Sequence, residues 1–169
     1  MYEEAWGHLL LINIRRATRD DAAVVAELVN DLLAEIMHAI SVQAFDSNRQ
    51  AMQRHLSESI PTEQHFVLLA EQEDTAVGFA AISPAFALYN NGAFGIITEL
   101  FVLPAFRSQR IGARLVRQCE SFARETGWTR LEVTTPPQPQ FQRTLSFYRN
   151  NGFDVTGGPK LKLAIEKSC

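Results

Sequence analysis

Three arginines, Arg107, Arg110 and Arg114, surround Gly112 directly after the apolar run Leu100-Phe101-Val102-Leu103 and Pro104. The run reads as a buried strand, and the residues after it read as a tight turn opening a helix. A helix start leaves backbone N–H groups without intrahelical partners and carries partial positive charge. Arginines are misplaced there unless an anion is also present, so this turn reads as a phosphate-binding site. It is not a nucleotide P-loop, because no Gly-Lys-Ser/Thr follows the turn. Just upstream, Glu99 places a carboxylate in an otherwise apolar strand, where burial is costly without a partner or a task. Either it moves protons, or it is an ion pair or a solvent-facing position.

The elements that must hold these residues follow from the hydrophobic pattern. Leu9 to Arg15 reads as a strand, and Thr18 with Asp20 and Asp21 reads as a helix start. Apolar residues at Val25, Leu28, Val29, Leu32, Leu33 and Ile36 give an amphipathic helix over Ala22 to His38. Glu27, Asp31 and Glu35 lie on another face of it and read as a solvated stripe. A second helix covers about Asn48 to Glu58. Strands are expected at His65 to Glu71, Ala76 to Ser83 and Ala93 to Leu103, with a loop from Ser83 to Gly92. The helix after the turn spans Gln109 to Thr126, with Ile111, Leu115, Cys119, Phe122 and Ala123 on one face. A strand at Thr129 to Thr134, a stiff Pro136-Pro137-Gln138-Pro139 connection and a helix over Phe141 to Asn150 follow. The pattern then predicts a hairpin of Phe153 to Thr156 with Lys160 to Ile165 around Gly157-Gly158-Pro159. This is an α/β layout.

Bulk properties narrow the function classes. The chain has 169 residues and a net charge of −3, which reads as a single domain over residues 1–169 with a core at about 12–165. A weakly acidic balance argues against a nucleic-acid partner. The apolar run at 9–12 is too short for a membrane span or a signal core, so a cytoplasmic protein without a membrane partner is expected. Cys119 and Cys169 make no disulfide framework. The histidines, His8, His38, His55 and His65, lack metal-ligand spacing, and no Gly-x-Ser-x-Gly elbow is present. No metal site is expected.

The turn closely resembles motif A of the GNAT N-acetyltransferase superfamily, Arg/Gln-x-x-Gly-x-Gly/Ala after an apolar strand ending in Val-x-Pro. Arg107 fills the first position, Gly112 the last, and Val102 and Pro104 match the strand end, while Arg110 replaces the first glycine. Leu145-Ser146-Phe147-Tyr148-Arg149-Asn150-Asn151-Gly152-Phe153 resembles motif B, Phe-Tyr-x-x-x-Gly-Phe, with Phe141 where many relatives carry Asn. The resemblance spans nearly the whole chain. It implies a mixed, mostly antiparallel central sheet flanked by helices. The segments Val77-Gly78-Phe79-Ala80 and Glu99-Leu100-Phe101-Val102 look like the diamine and spermidine acetyltransferase branch.

What the resemblance implies can be placed residue by residue. Acetyl-CoA is the expected cofactor. Arg107, Ser108, Gln109, Arg110, Ile111, Gly112, Ala113 and Arg114 would hold its pyrophosphate, and the backbone of Leu100, Phe101 and Val102 would pair with its pantetheine arm. Tyr148 would protonate the leaving thiolate, and Glu99 would deprotonate the acceptor amine, itself protonated at neutral pH. Phe86 and Tyr89 are candidates for lining the acceptor pocket. The expected reaction is direct transfer from acetyl-CoA to a small-molecule primary amine in a ternary complex. A non-catalytic acyl-CoA-binding module stays open beside it, as does a homodimer.

Overall fold

A computed structural model describes residues 11–45, 48–90, 92–158 and 160–163. Five strands form one sheet in sequential order: β1 (Ile12–Arg16), β2 (Phe66–Gln72), β3 (Thr75–Ala87), β4 (Gly92–Val102) and β5 (Leu131–Val133). The first four pair antiparallel, and β4 pairs with β5 in parallel. Four helices complete the fold: α1 (Ala22–Ile40), α2 (Arg49–Ser59), α3 (Ile111–Glu125) and α4 (Gln142–Asn150).

Both faces of the sheet are buried. In β2, Phe66, Leu68 and Ala70 join one core with Ile111, Leu115, Cys119 and Phe122 of α3. The alternate residues Val67 and Leu69 join a second core with Val25, Ala26, Leu28 and Val29 of α1 and with Leu56 of α2. That explains why β2 reads as an unbroken apolar run rather than an alternating one. The sheet therefore lies between an α1/α2 layer and an α3 layer.

Two features of β4 set the geometry of the site. The pairing jumps from Ile82↔Ile97 to Ala81↔Glu99, so Thr98 is an extra residue forming a bulge. Ile97, Leu100 and Val102 belong to the α3 core, whereas Phe101, and Ala81 opposite Glu99, belong to the α1/α2 core. Glu99 thus lies on the α1/α2 face. In addition, β5 pairs only with Gly95, Ile96 and Ile97. Beyond Ile97, β4 has no strand partner on its β5 side among the described residues.

Two expectations need correction. Ser83 to Gly92 is not a loop: β3 continues to Ala87, paired with β4 as far as Ala87↔Gly92, and a 3-10 turn at Leu88–Asn90 closes it. The pairing of β3 with β2 stops at Ile82, so Pro84 sits on an edge strand, where its missing N–H is tolerated. The C-terminal hairpin is also absent among the described residues. Residues 153–158 and 160–163 form no strand, and Val155, Leu161 and Leu163 are exposed. Without a sheet to bury one face, a two-stranded hairpin is marginal. The first-strand residues Leu9 and Leu10, and the end of that hairpin at Ala164 and Ile165, lie outside the described residues.

Candidate active site

The signature turn begins with a single 3-10 turn, Pro104–Phe106, and ends at the N-cap of α3. Ser108 has φ 67° and Arg110 has φ 60°, both in the left-handed region. Left-handed residues beside right-handed ones turn successive N–H groups toward one side, forming an anion-binding concavity. No side chain caps α3, so the N–H groups of its first turn remain available to a ligand. Arg110 occupies the position that favours glycine. Its backbone adopts the required conformation at a cost of about 1 kcal/mol, and its side chain is exposed.

The other two arginines serve the protein itself. Arg107 Nε donates to the Val102 carbonyl at 2.9 Å, and Nη2 donates to Glu35 Oε2 at 2.6 Å. Its guanidinium lies 5.4 Å from the Phe101 ring centroid. Arg114 Nη2 donates to the Ile12 carbonyl at 2.6 Å, tying α3 to β1. Both guanidinium groups are thus partly committed to the protein, whereas the backbone amides of the turn and the Arg110 side chain have no protein partner among the described residues. Gly112 has a packing role that the sequence does not reveal: a Cβ there would lie 3.3 Å from the Phe147 ring. Its hydrogen lets α4 approach the start of α3.

Tyr148 is 6% exposed, with its ring edge-on to Phe147 and Phe153. Burial, and then the nearby Cys119 thiol, push the phenol above its ordinary range. Among the described residues no protein group is hydrogen-bonded to its hydroxyl. The hydroxyl oxygen is not among the buried unpartnered atoms, so it is the ring rather than the oxygen that the core encloses. Burial raises the Glu99 carboxyl, and a Thr98 hydrogen bond pulls it part of the way back. Burial also pushes the Cys119 thiol up to about 12, which leaves it inert as a nucleophile.

Phe86 and Tyr89 are not brought to Glu99. Phe86 lies five β3 positions from Ala81, the partner of Glu99, which is about 17 Å along the strand. It is 66% exposed and Tyr89 is 84% exposed. Arg130 fastens the tip instead, with its guanidinium 3.8 Å from the Phe94 ring centroid and Nη2 donating to the Tyr89 hydroxyl at 3.3 Å. The acidic stripe on α1 is largely neutralised, because Arg49 pairs with Glu27 and Arg107 with Glu35.

A helix start with no side-chain cap, a β4 edge without a strand partner among the described residues and the Tyr148 hydroxyl suit a phosphate-bearing cosubstrate with a long polar arm. The sequence model of the acetyltransferase (GNAT) family matches residues 27–153. The chain belongs to that family. The uncharacterised N-acetyltransferase YhfO of Bacillus subtilis is 27% identical over 147 residues, covering 87% of this chain and 93% of that protein. The aminoalkylphosphonate N-acetyltransferase of Salmonella typhimurium is 31% identical over 122 residues, covering 72% of this chain and 73% of that one. An aminoglycoside N-acetyltransferase solved in complex with CoA shares the fold with a TM-score of 0.71 at 17% identity, covering 94% of this chain and 96% of that one. This chain is an acetyl-CoA-dependent acetyltransferase. Among the described residues no helix is long and apolar enough to cross a membrane.

Proposed function

We propose that the acceptor is a small primary amine and that the acetyl group passes to it directly in a ternary complex. The observation that carries this reading is the position of Glu99. The Thr98 bulge puts the carboxylate on the α1/α2 face, beside the stretch of β4 that lacks a strand partner. Acetyl-CoA supplies an activated thioester carbonyl. The outer edge of Leu100 to Val102, where the Val102 carbonyl already accepts from Arg107 Nε, is offered to its arm, and Ser108 to Ala113 offer N–H groups to its phosphates. An alkyl ammonium has a pKa of about 10.4 and must lose a proton before it can attack. Glu99 accepts that proton, directly or through water, and its raised pKa brings it closer to neutrality, where a general base works best. Tyr148 Oη keeps its own proton under the same conditions and can donate it to a departing thiolate.

The named activities of the aminoalkylphosphonate and aminoglycoside relatives, both on amine-bearing small molecules, support this acceptor class. A polyamine is a weaker choice within it, since two of the three α1 stripe carboxylates are already paired with arginine. The test is release of free thiol from acetyl-CoA with a panel of aminoalkyl acids, aminoglycosides, diamines and amino acids. Turnover above the hydrolysis background with at least one amine, rising with pH and lost in Glu99→Gln, supports the reading. Equal turnover with Glu99→Gln overturns the role of Glu99, and turnover only with alcohols overturns the acceptor class.

A further inference from the structure

Arg107 occupies the first motif position, and its Nε and Nη2 already have protein partners. The contact to the Val102 carbonyl closes a staple across Pro104–Phe106, and the contact to Glu35 crosses to the last two turns of α1. The next three residues, Ser108, Gln109 and Arg110, make no side-chain hydrogen bond among the described residues. Two of them hold left-handed backbone, which non-glycine residues resist. Such a loop keeps its shape only where its surroundings over-determine it. Arg107 is the side chain placed to do that, and Glu35 fixes Arg107.

We propose that Glu35 is a positioning residue for acetyl-CoA: through Arg107 it holds Ser108 to Arg110 in the shape that presents the α3 amides to phosphate. This inference rests on the reading of that loop as the acetyl-CoA phosphate site. The Glu35 and Arg107 side chains are 41% and 42% exposed, and a pair so open to water adds little to folding stability. What the pair supplies is geometry. It also joins the two sides of the reaction, because α1 packs on the sheet face that carries Glu99.

The opposite role is physically possible and distinguishable. If Glu35 instead masks Arg107 from phosphate, removing its charge frees a guanidinium and tightens binding. The experiment is titration of Glu35→Gln and Glu35→Ala with acetyl-CoA, together with steady-state kinetics and thermal melting. Positioning raises both the Kd and the KM for acetyl-CoA about three- to fivefold, the scale of one well-oriented ion pair, with kcat and melting temperature nearly unmoved. In an Arg107→Gln background, Glu35→Gln then adds nothing further. Tighter binding, unchanged binding, or an undiminished Glu35→Gln effect in that background overturns the proposal. A wild-type protein that fails to bind acetyl-CoA overturns the loop assignment itself. A binding wild type with an unmoved Glu35→Gln overturns the role of Glu35 alone.

Discussion

At its C-terminal end β4 runs into a loop whose side chains are held by Arg107 and whose backbone amides are left open. At its N-terminal end it emerges from a two-stranded arm whose backbone is paired and whose side chains Phe86, Leu88 and Tyr89 face solvent. The first arrangement spends arginines on scaffolding so that the main chain can meet a ligand. The second leaves side chains exposed and is latched by a single arginine, Arg130. Residue type alone therefore misses both arrangements: arginine side chains also hold the main chain, and aromatic residues near a strand end can stand exposed.

The largest effect that would sharpen this contrast is expected within the stretch of β4 next to the loop. Glu99→Gln should lower kcat about a hundredfold if Glu99 is the base. Its folded pKa is raised, so the folded state holds this proton more tightly than the unfolded state does. The carboxyl therefore stabilises the fold least once pH rises past the ordinary glutamate value of about 4.3 and through the raised folded value. Melting curves should show Glu99→Gln gaining on the wild type as pH increases across that window, while activity of the wild type rises over the same window. A kcat within twofold of wild type would remove Glu99 from the chemistry.

Tyr148→Phe is next, with kcat falling about tenfold or more and the KM for acetyl-CoA changing less. An unchanged kcat would make Tyr148 a core residue only. Gly112→Ala should be milder. The new methyl would press on Phe147, cost about 1 kcal/mol of stability and weaken acetyl-CoA binding by shifting α4. Combining it with Phe147→Leu, measured by calorimetry and melting, should recover part of both losses. The smallest effect belongs to the arm. Phe86→Ser with Leu88→Ser should leave kcat and the amine KM within twofold of wild type, as their distance from Glu99 dictates. A larger rise in the amine KM would make the arm part of the acceptor pocket and collapse the comparison.

The fold was largely legible because its buried faces write long apolar patterns: the β2 run, the α3 stripe from Ile111 to Phe122 and the strand before Pro104. The arm was misread because Ser83 and Pro84 look like loop chemistry, and nothing local reveals that Phe86 pairs with Ala93. The partners of Arg107 and Arg114 were hidden for a different reason. Glu35 and Ile12 lie 72 and 102 residues away in sequence, so no motif spacing could announce them. The turn suggested a phosphate site by its residue types, but not that a Cβ at Gly112 would crowd the Phe147 ring.

Thr98 carries a consequence for how such chains can vary. A residue inserted into the ladder would exchange the faces of all side chains beyond it, but a bulge absorbs the extra residue and leaves those faces in place. Deleting Thr98 would join Ile97 directly to Glu99 and restore regular alternation, leaving Glu99 opposite Ala81 and Leu100 and Val102 in the layer under α3. The change that would carry Glu99 to the face of Ile97 is the opposite one, a regular pairing that keeps Thr98 in the ladder. A related chain one residue shorter in this span can lack the bulge and still present its glutamate from the same face.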